Sequence, residues 1–316
     1  MSASIPLLVV NPQSGGGRTG RTFASMLPAI ENALGDVEVL HTTHRSHAIE
    51  IVEGEAKKGR ELVVAIGGDG TLNEVVNGVM RAAESGATGT QVGFIAQGTG
   101  GDFRRTIGIE HRLDRYLAAL SSGRERKIDV GRMTYKDDAG HDAVRWFVNI
   151  LSAGMGGLVD RYVADAPSQM GGKAAYFTAS LRALATCKKG RVRCNVRSGG
   201  TDEVKRVASY MIAVCNGQYF GSGMHVAPMA KIDDGVFEVV SIGAPSKIAF
   251  AMSSRKIYSG DHLKQRTTVH FACDRIELDL ENDDARGVFL IDCDGEPMGG
   301  LPIAVEVVPG ALRMRA

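Results

Sequence analysis

Residues 62–78 read LVVAIGGDGTLNEVVNG. Five apolar residues run straight into Gly67-Gly68-Asp69-Gly70-Thr71, and an amphipathic pattern begins at once. A short unbroken apolar run suits a strand buried on both faces, as in a parallel sheet. Leu72, Val75, Val76, Val79 and Met80 then recur at helical spacing. Thr71 stands where an N-cap is expected and Glu74 follows three residues later, the pattern of a capping box. Strand, glycine turn and helix form the first unit of the reading.

The same alternation extends on both sides. Residues 5–10, 37–40 and 92–96 are short apolar runs, and Phe23, Met26, Leu27, Ile30 and Leu34 mark an intervening helix. This order predicts an α/β N-terminal domain with an open, mostly parallel sheet and ligands at the C-terminal strand ends. From about Asp129 the texture changes. Runs at 146–152, 207–216, 236–242, 267–272, 276–280, 288–293 and 303–308 read as strands, with helices expected only at 173–185 and 246–258. A β-rich antiparallel sandwich follows. The boundary falls near 123–130, giving a nucleotide-binding domain over 1–130 and a substrate domain over 131–316.

Composition sets limits. With 316 residues, 44% of them hydrophobic, the chain can build two cores. Its 37 basic and 36 acidic residues leave a net charge of +1, which argues against a nucleic-acid partner. Cys187, Cys194, Cys215, Cys273 and Cys293 are odd in number and lack a C-x-x-C pair, so free core thiols in a reducing, cytoplasmic setting are expected. The run at 5–10 lies too near Met1 for a signal peptide. No run approaches the roughly 20 apolar residues of a transmembrane segment.

Glycines at a strand exit let backbone N–H groups and a helix N-terminus close on phosphate. Asp69 would repel phosphate unless a cation stood between them, so a carboxylate here points to Mg²⁺ beside a nucleotide. The alternative is a tight turn with Asp69 as a solvated cap. Two further turns occupy equivalent places, Asn11-Pro12-Gln13-Ser14-Gly15-Gly16-Gly17-Arg18 and Gln97-Gly98-Thr99-Gly100-Gly101-Asp102-Phe103. All three should meet on one sheet edge. Residues 15–22 nearly match a P-loop, but Arg21 replaces its lysine. Arg18 and Arg21 read equally as phosphate contacts or as solvated helix-start residues. His41, His44 and His47 lack zinc-helix spacing and read as surface or core residues. Lys188, Lys189, Arg191 and Arg193 read as a solvated strand edge with anionic headgroups as the alternative, and the apolar stretch at 176–185 reads as core.

Taken together, Asn11-Pro-x-Ser-Gly, Gly67-Gly-Asp-Gly-Thr-Leu-Asn-Glu, Gly98-Thr-x-x-Asp-Phe and Asp294-Gly295-Glu296 resemble the diacylglycerol kinase catalytic family. Its bacterial soluble lipid kinases are the nearest likeness, with sphingosine and ceramide kinases as relatives. The resemblance runs from about residue 5 to 312, and Asn216-Gly-x-x-Phe-Gly-x-Gly-Met and the stretch from Val226 to Val236 also look like its second domain. It implies transfer of the γ-phosphoryl group of ATP to a diacylglycerol-like hydroxyl at a membrane surface, with ATP in a cleft between the domains. The implied nucleotide contacts are Asn11, Pro12, Gln13, Ser14, Gly15, Thr42, Gly67, Gly68, Asp69, Gly70, Thr71, Leu72, Asn73 and Thr99. Mg²⁺ would be held by the Asp234 carboxylate and the carbonyls of Lys231 and Val236, and Glu296 would be the general base, with Asp69 as the second catalytic residue. The family places Asn where this chain has Gly101. An NAD kinase-like enzyme and a non-catalytic nucleotide-binding regulator are the rival readings. Exposed strand edges leave a homodimer open.

Overall fold

The computed structural model of the chain describes residues 5–98, 100–137, 139–166 and 172–316. It divides into two compact units, Met1–Asp129 with Gly310–Ala316, and Val130–Pro309.

Unit 1 alternates strand and helix: β1 (Leu7–Val10), α1 (Arg18–Leu34), β2 (Glu38–His41), α2 (His47–Lys57), β3 (Leu62–Gly67), α3 (Asp69–Glu84), β4 (Gln91–Ala96), α4 (Asp102–Thr106) and α5 (Leu113–Ser121). The strands lie in the order β2-β1-β3-β4, every neighbour parallel. β1 and β3 are buried along their whole length, which explains their unbroken apolar runs. The expected capping box does not form. Helix α3 begins at Asp69 with Gly68 as its N-cap, so Thr71 lies inside the first turn. Glu74 instead accepts the backbone N–H groups of Ser46 (2.8 Å) and Ala48 (3.2 Å). It thereby caps α2, whose own N-cap Ser46 makes no side-chain cap bond.

β5 (Glu125–Lys136) carries the chain into unit 2. There follow β6 (Asp142–Phe147), β7 (Ile150–Gly154), α6 (Met155–Ala164), α7 (Gly172–Thr186), β8 (Gly190–Ser198), β9 (Thr201–Ser209), β10 (Met211–Cys215), β11 (Tyr219–Phe220) and β12 (Met224–His225). The remainder is β13 (Phe237–Ile242), α8 (Lys247–Ser254), β14 (Thr268–Cys273), β15 (Arg275–Leu280), β16 (Leu290–Cys293), β17 (Glu296–Gly300) and β18 (Ile303–Arg315). One antiparallel sheet runs β14-β13-β10-β7-β16-β17. A second layer places β9, β8, β15 and β18 side by side, with β5 and β6 beyond β18. Phe147, Leu151, Ile212, Val239, Cys194, Ile276 and Val305, from both layers, share one core. The outer face of the six-stranded sheet packs through Ala213, Cys215 and Val240 against α6, α7 and α8. The fold is thus an α/β domain with a parallel sheet and an antiparallel β-sandwich domain.

Three boundaries differ from the sequence expectation. The run at 146–152 splits because the N–H groups of Val148 and Asn149 turn to the Asp294 carboxylate (2.9 and 3.1 Å) rather than to a strand. The run at 207–216 splits at Tyr210, where Ser209 Oγ accepts the Met211 N–H at 3.1 Å. Residues 310–316, expected with the 131–316 segment, pack in unit 1. Arg313 and Met314 pair in parallel with Gln91 and Val92, and Gly310 N–H donates to Asp129 at 2.7 Å. All five cysteines are free and buried. Among the described residues no helix is long and apolar enough to cross a membrane.

Candidate active site

In unit 1 the turns after β1, β3 and β4 leave one edge of a parallel sheet and touch one another. A Cβ placed on Gly98 would lie 2.6 Å from Gly68 Cα, and one on Gly15 would lie 2.7 Å from the Gln97 carbonyl oxygen. Only glycine permits such approach. Side chains stitch the turns further. Asn11 Nδ2 donates to Thr71 Oγ1 at 3.1 Å, and Arg18 Nη2 donates to the Gln97 carbonyl at 2.9 Å. The first turn is closed internally by Asn11 Oδ1, which accepts the Gln13 N–H (3.0 Å), and by the Ser14 carbonyl, which accepts the Thr19 hydroxyl (3.1 Å). Helices α1 and α3 both start at this edge, so their N-terminal N–H groups and dipoles face it.

Asp69 locks the second turn to the third. Its two oxygens accept the N–H groups of Asp102 (3.2 Å) and Phe103 (3.3 Å), at the start of α4. Burial pushes this carboxyl above its ordinary range, while the backbone donors and Arg105 oppose the rise. Arg105 Nη1 binds both the Gly100 carbonyl (2.6 Å) and Asp102 Oδ1 (2.7 Å), so the third turn is braced from two sides. Burial, and then the charges of Arg104, Arg18 and Arg105, hold His111 below its ordinary pKa. Arg18 at the start of α1 and Arg104 and Arg105 on α4 thus act on one locality, which also holds the acids Asp69 and Asp102. Gly101 sits at φ 59°, ψ 42°, in the left-handed region. Asn is among the side-chain-bearing residues that reach this region most readily, so an Asn here would be compatible with the same turn.

Of the remaining expected nucleotide residues, Thr42 is buried beside the end of β1, with its N–H on the Val10 carbonyl at 2.8 Å. Leu72 and Asn73 lie in the interior beneath the turn, Asn73 receiving Asn77 Nδ2 on its Oδ1 at 3.1 Å. Thr99 lies outside the described residues. The histidines are accounted for without metal: His41 packs edge-on against Phe23, and His44 stacks on His47. Among the described residues no group of three or more His, Cys, Asp or Glu could hold a metal ion. The 231–236 loop carries two exposed carboxylates, Asp233 and Asp234, and Asp234 accepts the Val236 N–H at 3.3 Å. Together with the carbonyls of Lys231 and Val236 this is an all-oxygen donor set, the chemistry a hard divalent cation takes.

In unit 2 Glu296 opens β17, directly after a two-residue turn in which Asp294 (φ 51°) and Gly295 (φ 88°) are both left-handed. That is a type I′ hairpin, with Cys293 opposite Glu296. The turn is more than a link between strands. Asp294 is buried and accepts the N–H groups of Val148, Asn149 and Ile150 at 2.9–3.1 Å, while Gly295 N–H donates to Asp292 Oδ1 at 2.7 Å. Glu296 is therefore carried on a rigid backbone.

Asp160 and Asp292 escaped the sequence reading. Asp160 stands on α6, which packs tightly on β16: a Cβ on Gly157 would lie 2.3 Å from the Leu290 carbonyl oxygen. Burial, with added repulsion from Glu296, pushes Asp160 up to about 6 despite its hydrogen bond with Asp292. Burial and then the Asp160 charge push Asp292 well above the carboxylate range. The signal was a lone carboxylate inside the apolar run from Met155 to Val163. Because these folded-state values are raised, the native state binds more protons than the unfolded chain, and stability falls as pH climbs from about 4 through 6 and beyond. Asp292→Asn is expected to be more stable than the parent by about 1–2 kcal/mol at alkaline pH, with the difference fading toward pH ~4. Urea unfolding at several pH values checks this.

Comparison with known proteins agrees along both units. A model of the diacylglycerol kinase catalytic domain matches residues 6–133. A model of the YegS C-terminal NAD kinase beta sandwich-like domain matches residues 149–316. The chain is 25% identical over 312 residues to "Probable lipid kinase YegS-like" of Yersinia enterocolitica, covering 98% of this chain and 96% of that protein. It is 26% identical over 279 residues to "Probable lipid kinase YegS" of Salmonella arizonae, covering 88% and 86%. The fold is similar to the crystal structure of a diacylglycerol kinase from Bacillus anthracis str. Sterne, with TM-score 0.69, 20% identity, and coverage of 100% and 97%. A yeast NADH kinase shares the fold at TM-score 0.50 and 11% identity, with coverage of 99% and 83%.

Proposed function

Starting from a chain that belongs to the YegS family of diacylglycerol kinase-like proteins, we propose that it transfers the γ-phosphoryl group of ATP to the hydroxyl of a diacylglycerol-like lipid. One observation carries the reading: three glycine turns in mutual contact at the edge of the parallel sheet, with Arg18 spanning the first and third. Glycine backbones at a helix N-terminus suit a polyphosphate, and a Cβ at their closest points would push the neighbouring turn away.

The chain's own residues have separate tasks. The backbone of Asn11 to Gly15 and of Gly67 to Thr71, with Thr99, binds the phosphates, while Thr42 borders the same edge. Asp69 keeps the second and third turns in register. Lys231, Asp234 and Val236 would hold Mg²⁺, which supplies charge neutralisation when bound. Glu296 takes the proton as the acceptor oxygen bonds to the γ-phosphorus and the bond to the β–γ bridging oxygen breaks. Phosphoryl transfer asks for positioning and charge stabilisation more than for covalent chemistry, and the braced turns supply the first.

The test incubates the purified protein with labelled ATP, Mg²⁺ and mixed micelles of diacylglycerol, ceramide, a sphingoid base or phosphatidylglycerol, with NAD in a parallel tube. Labelled phospholipid product is expected, most of it from diacylglycerol. Label in NAD alone would make the chain an NAD kinase, and nucleotide binding without transfer to any acceptor would make it a regulator.

A further inference from the structure

Helices α7 and α8 face water with large apolar side chains. Phe177 and Leu181, one turn apart on α7, are 64% and 54% exposed. Ile248 and Met252, at the same spacing on α8, are 73% and 76% exposed, and Tyr258 follows at 54%. The reading of 176–185 as core holds for Tyr176, Ala179, Ala183 and Leu184 but not for Phe177 and Leu181. The buried side of α7 is built from Ala175, Ala179 and Ala183, and that of α8 from Phe250. The two helices share one apolar cluster, and Lys247 Nζ ties the start of α8 to the Ala185 carbonyl near the end of α7 at 2.7 Å. Single exposed apolar residues are ordinary, but a paired i, i+4 set on each of two joined helices is not.

The charge around them has one sign. No Asp or Glu occurs between Asp165 and Asp202, nor between Glu238 and Asp261, in a chain whose acids and bases otherwise balance. The first interval holds Arg182, Lys188, Lys189 and Arg191, and the second Lys247, Arg255 and Lys256. Arg182 lies over the Tyr162 ring at 4.0 Å, and Lys188 reaches Asp284 at 3.5 Å. Long apolar side chains on segments that carry bases and no acids match an anionic leaflet, whose acyl boundary takes the first and whose phosphates take the second.

We propose that the outward faces of α7 and α8 dock on an anionic lipid bilayer, with Phe177, Leu181, Ile248 and Met252 entering the interface. This deepens the lipid-kinase reading and rests on it for the choice of occupant. The test measures co-sedimentation of the full chain, without nucleotide, on phosphatidylcholine vesicles with and without phosphatidylglycerol. Binding is expected to the anionic vesicles and to weaken as salt is raised. The double variants Ile248→Asp/Met252→Asp and Phe177→Ser/Leu181→Ser should each lower partitioning by at least about tenfold. Circular dichroism should show them folded, since each loses only exposed side chains. Parent protein that ignores anionic vesicles, or double variants that bind as the parent does, would overturn the proposal. So would variants that change only the size of the free protein, which would assign the surface to a second copy. Turnover on a short-chain acceptor without a bilayer is read separately. Its absence from a parent that still binds vesicles would sink the kinase reading and leave the docking surface standing.

Discussion

Glu296→Gln should lower lipid phosphorylation by roughly 10²–10⁴ while nucleotide affinity stays within a small factor of the parent, the usual scale for losing a general base. The substitution is nearly isosteric. It leaves untouched the Asp294 carboxylate on Val148, Asn149 and Ile150, and the Gly295 to Asp292 hydrogen bond, so the hairpin keeps its shape. A rate loss would therefore report on the missing carboxylate and not on a collapsed turn. Steady-state kinetics with one lipid, paired with calorimetric titration of ATP, make the measurement. A loss below about threefold would remove Glu296 from proton transfer and leave it a strand residue.

Asp69→Asn should act on the other unit and in another way. The parent carboxylate offers an oxygen to each of two N–H groups on α4, whereas the amide has one oxygen and one nitrogen. One of those donors then faces an NH₂ group, and the third turn loses its anchor. A loss of roughly 10²–10³ in kcat/KM is expected, comparable with removing one preorganised electrostatic group. A stability loss of about 1–3 kcal/mol should accompany it, since a buried N–H loses its acceptor. Nucleotide affinity must fall along with turnover. Parent-like affinity with turnover alone reduced would show that Asp69 acts on the reacting atoms rather than by holding the turns.

The glycine turns were legible because each carries its chemistry within a few residues, and strand, turn and helix are local in sequence. Other features needed the tertiary fold. Helix α6 was missed because Met155-Gly156-Gly157 looks like a turn, although Gly157 is there to let the helix touch β16. Helix α7 was found and read as core, but only one side of it packs: Ala175, Ala179 and Ala183 with Tyr176 and Leu184 face inward, while Phe177 and Leu181 point outward. The break in the run at 207–216 rests on the short local bond from Met211 N–H to Ser209 Oγ, whereas that in 146–152 has no local turn signal. There the carboxylate that redirects the backbone lies at Asp294, far along the chain. Asp160 and Asp292 meet only when a helix lies on a strand, so no spacing announces them.

The return of residues 310–316 to the first unit makes that unit discontinuous. Until those residues have been synthesised, β4 has no parallel neighbour on its outer side and Asp129 has no Gly310 N–H to accept. The parallel-sheet half therefore cannot complete itself as it leaves the ribosome, and must wait while the whole sandwich is made. The fold thus couples its two halves through the order of synthesis, with the open sheet border a vulnerability of the nascent chain.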